Sequence, residues 1–106
     1  MKIVEITNEH IKFNNGNVIH YDHEQDCCEW NYADFEQLDD LGRNTEFDEN
    51  LDFEFVEDCG FRFGNQPYKM FFIPCYSEQN GYYSTDINIY YNNELVCCGL
   101  AEFIDC

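Results

Sequence analysis

The sequence predicts an α+β domain built mainly from antiparallel strands, with one short helix near residues 34–41. Three observations carry that expectation. Apolar and polar residues alternate along several short segments. Turn signals rich in asparagine separate those segments, at Asn15-Gly16, Asn80-Gly81 and Asn92-Asn93. Only the stretch from Asp34 to Leu41 carries helical spacing instead.

In chain order, Lys2 to Thr7 reads as a strand because Ile3, Val4 and Ile6 supply β-branched bulk. His10 to Phe13 and Asn17 to Tyr21 flank Asn15-Gly16, a pair that readily takes positive φ, and so form a hairpin. In the predicted helix, Asp34 is an acceptable N-cap and Gln37 stands at the capping-box position. Phe35, Leu38 and Leu41 make its apolar stripe, and Gly42 closes it. Leu51, Phe53 and Phe55 alternate with Asp52 and Glu54, placing the first three on a core face. Tyr68 to Tyr76 is a further strand, with Pro74 implying an edge or a bulge. Beyond Asn80-Gly81, Tyr82 to Tyr91 sets Ile87 and Ile89 opposite Asp86, Asn88 and Tyr90. Asn92-Asn93 then turns the chain into Glu94 to Phe103. With no repeat, proline-rich linker or low-complexity segment, residues 1–106 read as one domain.

Composition narrows the function. The chain has 22 acidic and 5 basic side chains, a formal net charge of −17. Five Lys and Arg cannot neutralise a phosphate track, so direct nucleic-acid binding is excluded, and adhesion to an anionic membrane is disfavoured. An aromatic content of 18% separates the chain from disordered acidic tails. Met1 to Phe13 holds no unbroken apolar run of the signal-peptide kind, and no stretch approaches the roughly 18 apolar residues of a membrane span. A cytoplasmic protein is therefore expected. In that compartment the seven cysteines, two adjacent pairs among them, read as reduced and mostly buried thiols. Each adjacent pair, Cys27-Cys28 and Cys97-Cys98, should set one thiol inward and one outward.

The charge is regional. Residues 22–58 hold 15 acids against Arg43, a balance of −14, which leaves −3 for the rest of the chain. A solvated face kept for solubility explains much of this. Two details point further. Asp39 and Asp40 fall in the last turn of the predicted helix, where the macrodipole makes acids unfavourable. Asp52 and Glu54 project from one face of the next strand. A surface that repels itself would be relieved by a basic partner, and spaced carboxylates on a rigid scaffold can imitate a phosphate backbone. The candidate binding residues are Asp34, Glu36, Asp39, Asp40, Asp52 and Glu54, joined by Tyr82 and Tyr83. Those two belong to an aromatic set with Tyr76, Tyr90 and Tyr91, open either to core packing or to recognition.

Catalytic and metal signatures are weak. His23, Asp26, Cys27 and Cys28 offer zinc-binding residue types, but no Cys-x-x-Cys knuckle or His-x-x-x-His pair accompanies them. The same residues supply a thiol and an imidazole without the positional signature of a nucleophilic site. Asp48, Asn50 and Asp52 open like a calcium loop, yet Phe53 stands where that turn needs Gly and Cys59 where it needs Glu. No phosphate-cradling glycine loop is present. Neither a cofactor nor an enzymatic activity is expected.

Two strings carry a resemblance. His23-Glu24-Gln25-Asp26-Cys27-Cys28-Glu29 and Asn80-Gly81-Tyr82-Tyr83-Ser84 resemble paired motifs of a small family of uncharacterised bacteriophage and bacterial proteins. The resemblance covers roughly residues 17 to 91; the region between the motifs is much less similar, and the Cys97-Cys98 stretch has no counterpart. It implies a phage or bacterial cytosolic setting and makes the two motifs neighbours in the fold, but brings no activity with it. A core anchor of His23, Cys27 and Tyr82 accounts for that pairing as well as a site does. The expected function is a non-enzymatic acidic protein that binds a basic protein surface, one form of which is a nucleic-acid mimic. A small thiol and histidine metal or redox domain, and an assembly protein using the Tyr-rich hairpin, are the alternatives.

Overall fold

The computed structural model describes residues 1–22, 30–66, 69–79, 81 and 84–105, the last without its side chain. Ten strands lie among the described residues: β1 (Ile3–Ile6), β2 (His10–Phe13), β3 (Val18–Asp22), β4 (Trp30–Ala33), β5 (Asp52–Val56), β6 (Gly60–Asn65), β7 (Lys69–Gln79), β8 (Asp86–Tyr91), β9 (Glu94–Leu100) and β10 (Glu102–Asp105). They form two sheets. The first runs β1-β2-β3-β8-β9 and is antiparallel throughout. The second is organised around β7.

The hairpin at Asn15-Gly16 forms as expected, with His10 opposite His20 and Lys12 opposite Val18. Asn92 and Asn93 both take positive φ, 53° and 66°, and join β8 to β9 by the predicted tight turn. Ile87 and Ile89 are fully buried, while Leu51, Phe53 and Phe55 pack against the core.

Strand β7 is longer than the sequence suggested and runs through Pro74 to Gln79. Its first half pairs with β6; its second half lies between β4, antiparallel, and β10, parallel. Pro74 sits at the changeover. Its carbonyl accepts from Asp34 N just past the end of β4, and Cys75 N donates to Cys59 O just before β6 begins. A residue without an N–H is tolerated there because neither ladder demands a donor from it. Pro74 is therefore neither at an edge nor in a bulge but at the point where β7 changes partners.

The expected α+β class is not what the chain adopts: the architecture is mainly β. Instead of a helix over 34–41, residues 35–37 make one 3₁₀ turn and residues 40–43 one α-turn. Leu38 breaks the run, with extended backbone at φ −58° and ψ 130°. Phe35 and Leu38 are both buried, whereas Leu41 is 72% exposed, so the three-residue stripe does not face the core as a unit. Arg43 stabilises the break by donating from Nε to the Leu38 carbonyl (2.9 Å) and from its terminal nitrogen to that of Glu36 (2.6 Å). These carbonyls would otherwise need partners within a helix. Gln37 donates to the Asp34 carboxylate at 2.8 Å rather than completing a capping box.

Three strands escaped the sequence reading. β4 and β6 fall outside the expected elements, and Glu94–Phe103 is two strands instead of one. Ala101, almost fully buried, marks the point where the chain leaves β9 in the first sheet and enters β10 in the second. In β6, Gly64 faces the β7 backbone so closely that a Cβ would lie 1.7 Å from the Lys69 carbonyl oxygen. Gly99 performs the same service between β9 and β5, where a Cβ would meet the Phe55 ring at 2.2 Å. One buried cluster joins the two sheets, with Ile11, Phe13, Ile19 and Ile87 from the first and Phe61, Phe63 and Ile73 from the second. Phe47 from the connecting segment seals it, 5.9 Å from Phe13 and 5.6 Å from Phe63 between ring centroids. Each such side chain contributes about 1.5–3 kcal/mol through burial.

Candidate acid-rimmed aromatic surface

The predicted acidic residues reach the surface but do not form one array. Asp39 caps the α-turn, its carboxylate accepting from Gly42 N at 2.8 Å, and Asp40 begins that turn. Both therefore lie at the favourable end of the local dipole, which reverses the expectation that they crowd a helix C-terminus. Their turn is seated through Gly42 on Leu38 and Phe71, to the side of the second sheet. Glu36 is exposed in the 3₁₀ turn.

Asp52 and Glu54 do share one face of β5, as expected. Glu54, however, lies opposite Arg62 and forms an ion pair with it. Among the described Lys and Arg side chains, Arg62 is the one in an ion pair. Arg43 serves backbone carbonyls, and Lys69 reaches the Glu46 carbonyl at 3.2 Å. Tyr82, Tyr83, His23, Asp26, Cys27 and Cys28 lie outside the described residues, and with them most of both resemblance motifs.

Strand register shows what surrounds the acids. Along β7 the odd-numbered residues Ile73, Cys75, Ser77 and Gln79 turn inward and are buried. The even-numbered residues lie on the opposite face, where Phe72 is exposed, Met70, Tyr76 and Glu78 are half-buried and Pro74 is covered. Trp30 is paired with Glu78, Tyr32 with Tyr76, and Glu102 with Tyr76 from the other side. Phe72 stands opposite Arg62, which stands opposite Glu54. The outer face of the second sheet thus carries an aromatic strip across β4 and β7.

The rings touch in sequence. Trp30 stacks on Tyr32 with centroids 4.3 Å apart and planes 29° apart, and Tyr32 meets Tyr76 at 5.7 Å. Trp30 is 52% exposed and Phe72 42%. Gln37 donates to the Tyr76 hydroxyl at 3.2 Å, so the 3₁₀ turn borders the strip and brings Asp34 to it. A shallow depression of about 370 Å³ opens between Gln37, Cys59, Phe72, Pro74, Tyr76 and Glu102. Burial, followed by the negative charges of Glu78 and Asp34, pushes the Tyr32 hydroxyl above its ordinary value. Those two carboxylates are thus near enough for their field to bear on the ring.

From β5 to the segment beyond β7 is three strand spacings, roughly 14 Å. Asp52 and Glu54 mark the β5 margin of the face, Glu78 stands on β7 itself beside Trp30, and Asp34 and Glu102 flank β7 on opposite sides. The sequence reading missed Trp30, Tyr32, Phe72, Glu78 and Glu102. Trp30-Asn31-Tyr32 does alternate at period two, but Phe72-Ile73-Pro74-Cys75-Tyr76 is apolar throughout, so pattern alone does not say which of its side chains face out.

The other tyrosines disperse. Tyr90 stacks on His20 at 5.2 Å on the outer side of the first sheet. Tyr91 packs on Phe53, accepts from Asn17 at 2.7 Å and donates to the Glu49 carbonyl at 2.9 Å.

Buried polar groups are structural. Gln79 donates to Ser77 Oγ at 2.6 Å, and Asn31 donates to the Ser84 and Asp86 carbonyls at 3.1 and 3.0 Å. The network ties β4 and β7 to the segment entering β8, and satisfied amides of this kind rigidify a core.

The described thiols divide evenly. Cys75 and Cys97 face inward, while Cys59 and Cys98 are exposed, so the adjacent pair Cys97-Cys98 splits as expected. The expectation of mostly buried thiols holds fully for Cys75 and in part for Cys97, which is half-buried. Among the described residues no three His, Cys, Asp or Glu side chains come together as a metal site. Among the same residues no helix is long and apolar enough to cross a membrane. No family model, no curated protein and no solved structure matches the chain.

Proposed function

We propose that the protein is a non-enzymatic acidic binding protein whose partner is a basic protein surface. The observation that carries this reading is the uncompensated charge. The chain bears −17, and three of its five cationic side chains are already occupied, with Glu54 or with backbone carbonyls. The counter-charge must come from outside the chain, and a basic protein supplies it with little desolvation cost at the rim of an interface. A nucleic-acid mimic is one form of such a protein. Arg62 interrupts a carboxylate track along β5, so mimicry is an outcome to be tested within this reading rather than its basis.

The test is a low-salt pull-down from cell lysate, eluted with a salt gradient and repeated with competing duplex DNA. The comparison chain carries D34N, E36Q, D39N, D40N and D52N; Asn at 39 preserves the cap. Basic proteins are expected to elute from the native chain at higher salt than from the variant, and displacement by DNA identifies mimicry. Identical elution from both chains overturns the reading.

A further inference from the structure

The outer face of the second sheet combines two features that charge alone does not explain. A single tryptophan and three further rings stand at a surface where solubility favours polar side chains, and carboxylates stand beside them. We infer that this face receives arginine side chains of a protein partner, with guanidinium planes lying on Trp30, Tyr32 and Tyr76 and pairing with Asp34, Glu78 and Glu102. The inference rests on the basic-partner reading above and names the surface and the side-chain chemistry.

Charge complementarity decides among the occupants. An aromatic strip on a β-sheet is also a platform for nucleobases. Nucleobases arrive with phosphates, however, and the one Lys or Arg that the register places on this face, Arg62, is already paired with Glu54. A second copy of the chain would bring another −17 against the same carboxylates. A cationic segment avoids both penalties.

Arginine fits better than lysine for geometric reasons. Its guanidinium is planar, weakly hydrated and able to stack on an aromatic face while its edge donates two parallel hydrogen bonds to a carboxylate. Trp30 stacks on Tyr32 with one face and, half exposed, can offer the other, and Glu78 is the residue paired with Trp30 across the strands. The depression beside Tyr76, floored by Phe72 and Pro74, accommodates the methylene stem, with Glu102 at its margin. An ammonium in the same place gains the charge attraction without the planar contact.

Trp30 is the chain's sole tryptophan, so its fluorescence reads the surface directly. The experiment titrates the full chain at physiological salt with two peptides of equal charge and length, one alternating Arg with Ser and one alternating Lys with Ser. The Arg peptide is expected to bind about five- to tenfold more tightly and to change Trp30 emission. Glu78→Gln with Glu102→Gln is expected to remove most of that preference without altering the melting temperature. Tyr76→Leu, which also loses the Gln37 hydrogen bond and the Tyr32 contact, is expected to remove it with a small fall in melting temperature. Calorimetric titration of Trp30→Leu should show the same loss. If both peptides bind equally and Trp30 emission is unchanged, the surface assignment is overturned while the basic-partner reading stands. If neither peptide binds, both fall. A Trp30 response to single-stranded DNA, or to protein concentration alone, overturns the arginine assignment in favour of nucleobases or of self-association.

Discussion

Identical side chains behave differently here according to what the two sheets place around them. Cys97 and Cys98 are neighbours in sequence, yet burial pushes the Cys97 thiol up to about 12 while Cys98 meets solvent. Burial raises Cys75 further still. A thiol reacts as its thiolate, so at pH 8 Cys75 and Cys97 should resist alkylation in the native chain. Mass mapping after a brief iodoacetamide pulse should find Cys59 and Cys98 modified and Cys75 and Cys97 modified only after unfolding. On the first sheet, the hydrogen bond from His10 to Glu5 (2.6 Å) holds the Glu5 carboxyl below its ordinary value of 4.5. A lowered carboxyl contributes stability above that value and loses it as the pH falls through the folded-state value. In His10→Ala, the Glu5 midpoint followed by NMR should therefore move up toward 4.5; an unmoved midpoint would show that the bond does not persist in solution.

At the scale of elements, the segment from Asp34 to Arg43 shows how tertiary demand overrides local pattern. Leu38 and Leu41 are equivalent in a helical stripe but not in the structure, where Leu38 is 3% exposed and Leu41 72%. Leu38→Ala should cost about 2–4 kcal/mol in chemical denaturation, and Leu41→Ala no more than about 0.5 kcal/mol. Equal costs would restore the continuous helix. The break has a cause visible in the partners. The chain must leave β4 beside Pro74 and bury Phe35, and it must then seat Gly42 against Phe71. A straight helix keeps Phe35, Leu38 and Leu41 on one side; this course needs the backbone to turn at Leu38. The strand pattern suffered less. Alternation in β5 and β8 and the turns at Asn15-Gly16 and Asn92-Asn93 were legible because they are local, while Asn80 of the third turn signal lies outside the described residues. The partnership of β7 with β4, β6 and β10 was not, since nothing in Pro74 states which strands lie beside it.

For the whole molecule, the dominant number is the charge. A chain of −17 with few ion pairs among its described residues repels itself more when compact than when unfolded. Raising sodium chloride from about 20 to 500 mM should therefore increase the melting temperature by several degrees, as the Debye length contracts below typical charge separations. A melting temperature that falls with salt would mean that attractive pairs outweigh the repulsion. The same field sets the terms for any partner. It opposes the approach of polyanions and of a second copy, and the proposed cationic protein partner would meet no such repulsion.

Composition and local pattern determined the sign and regional concentration of the charge, the hairpin at Asn15-Gly16, and the inward rows of β5 and β8. These are properties of single segments or of simple sums. The tertiary structure alone decided the mainly β class, the favourable placement of Asp39 and Asp40, the neutralisation of Glu54 by Arg62, and the assembly of Trp30, Tyr32, Phe72 and Tyr76 on one face. The rings of β4 and β7 stand 40 or more residues apart in sequence, and only hydrogen-bonded register between the two strands makes them neighbours.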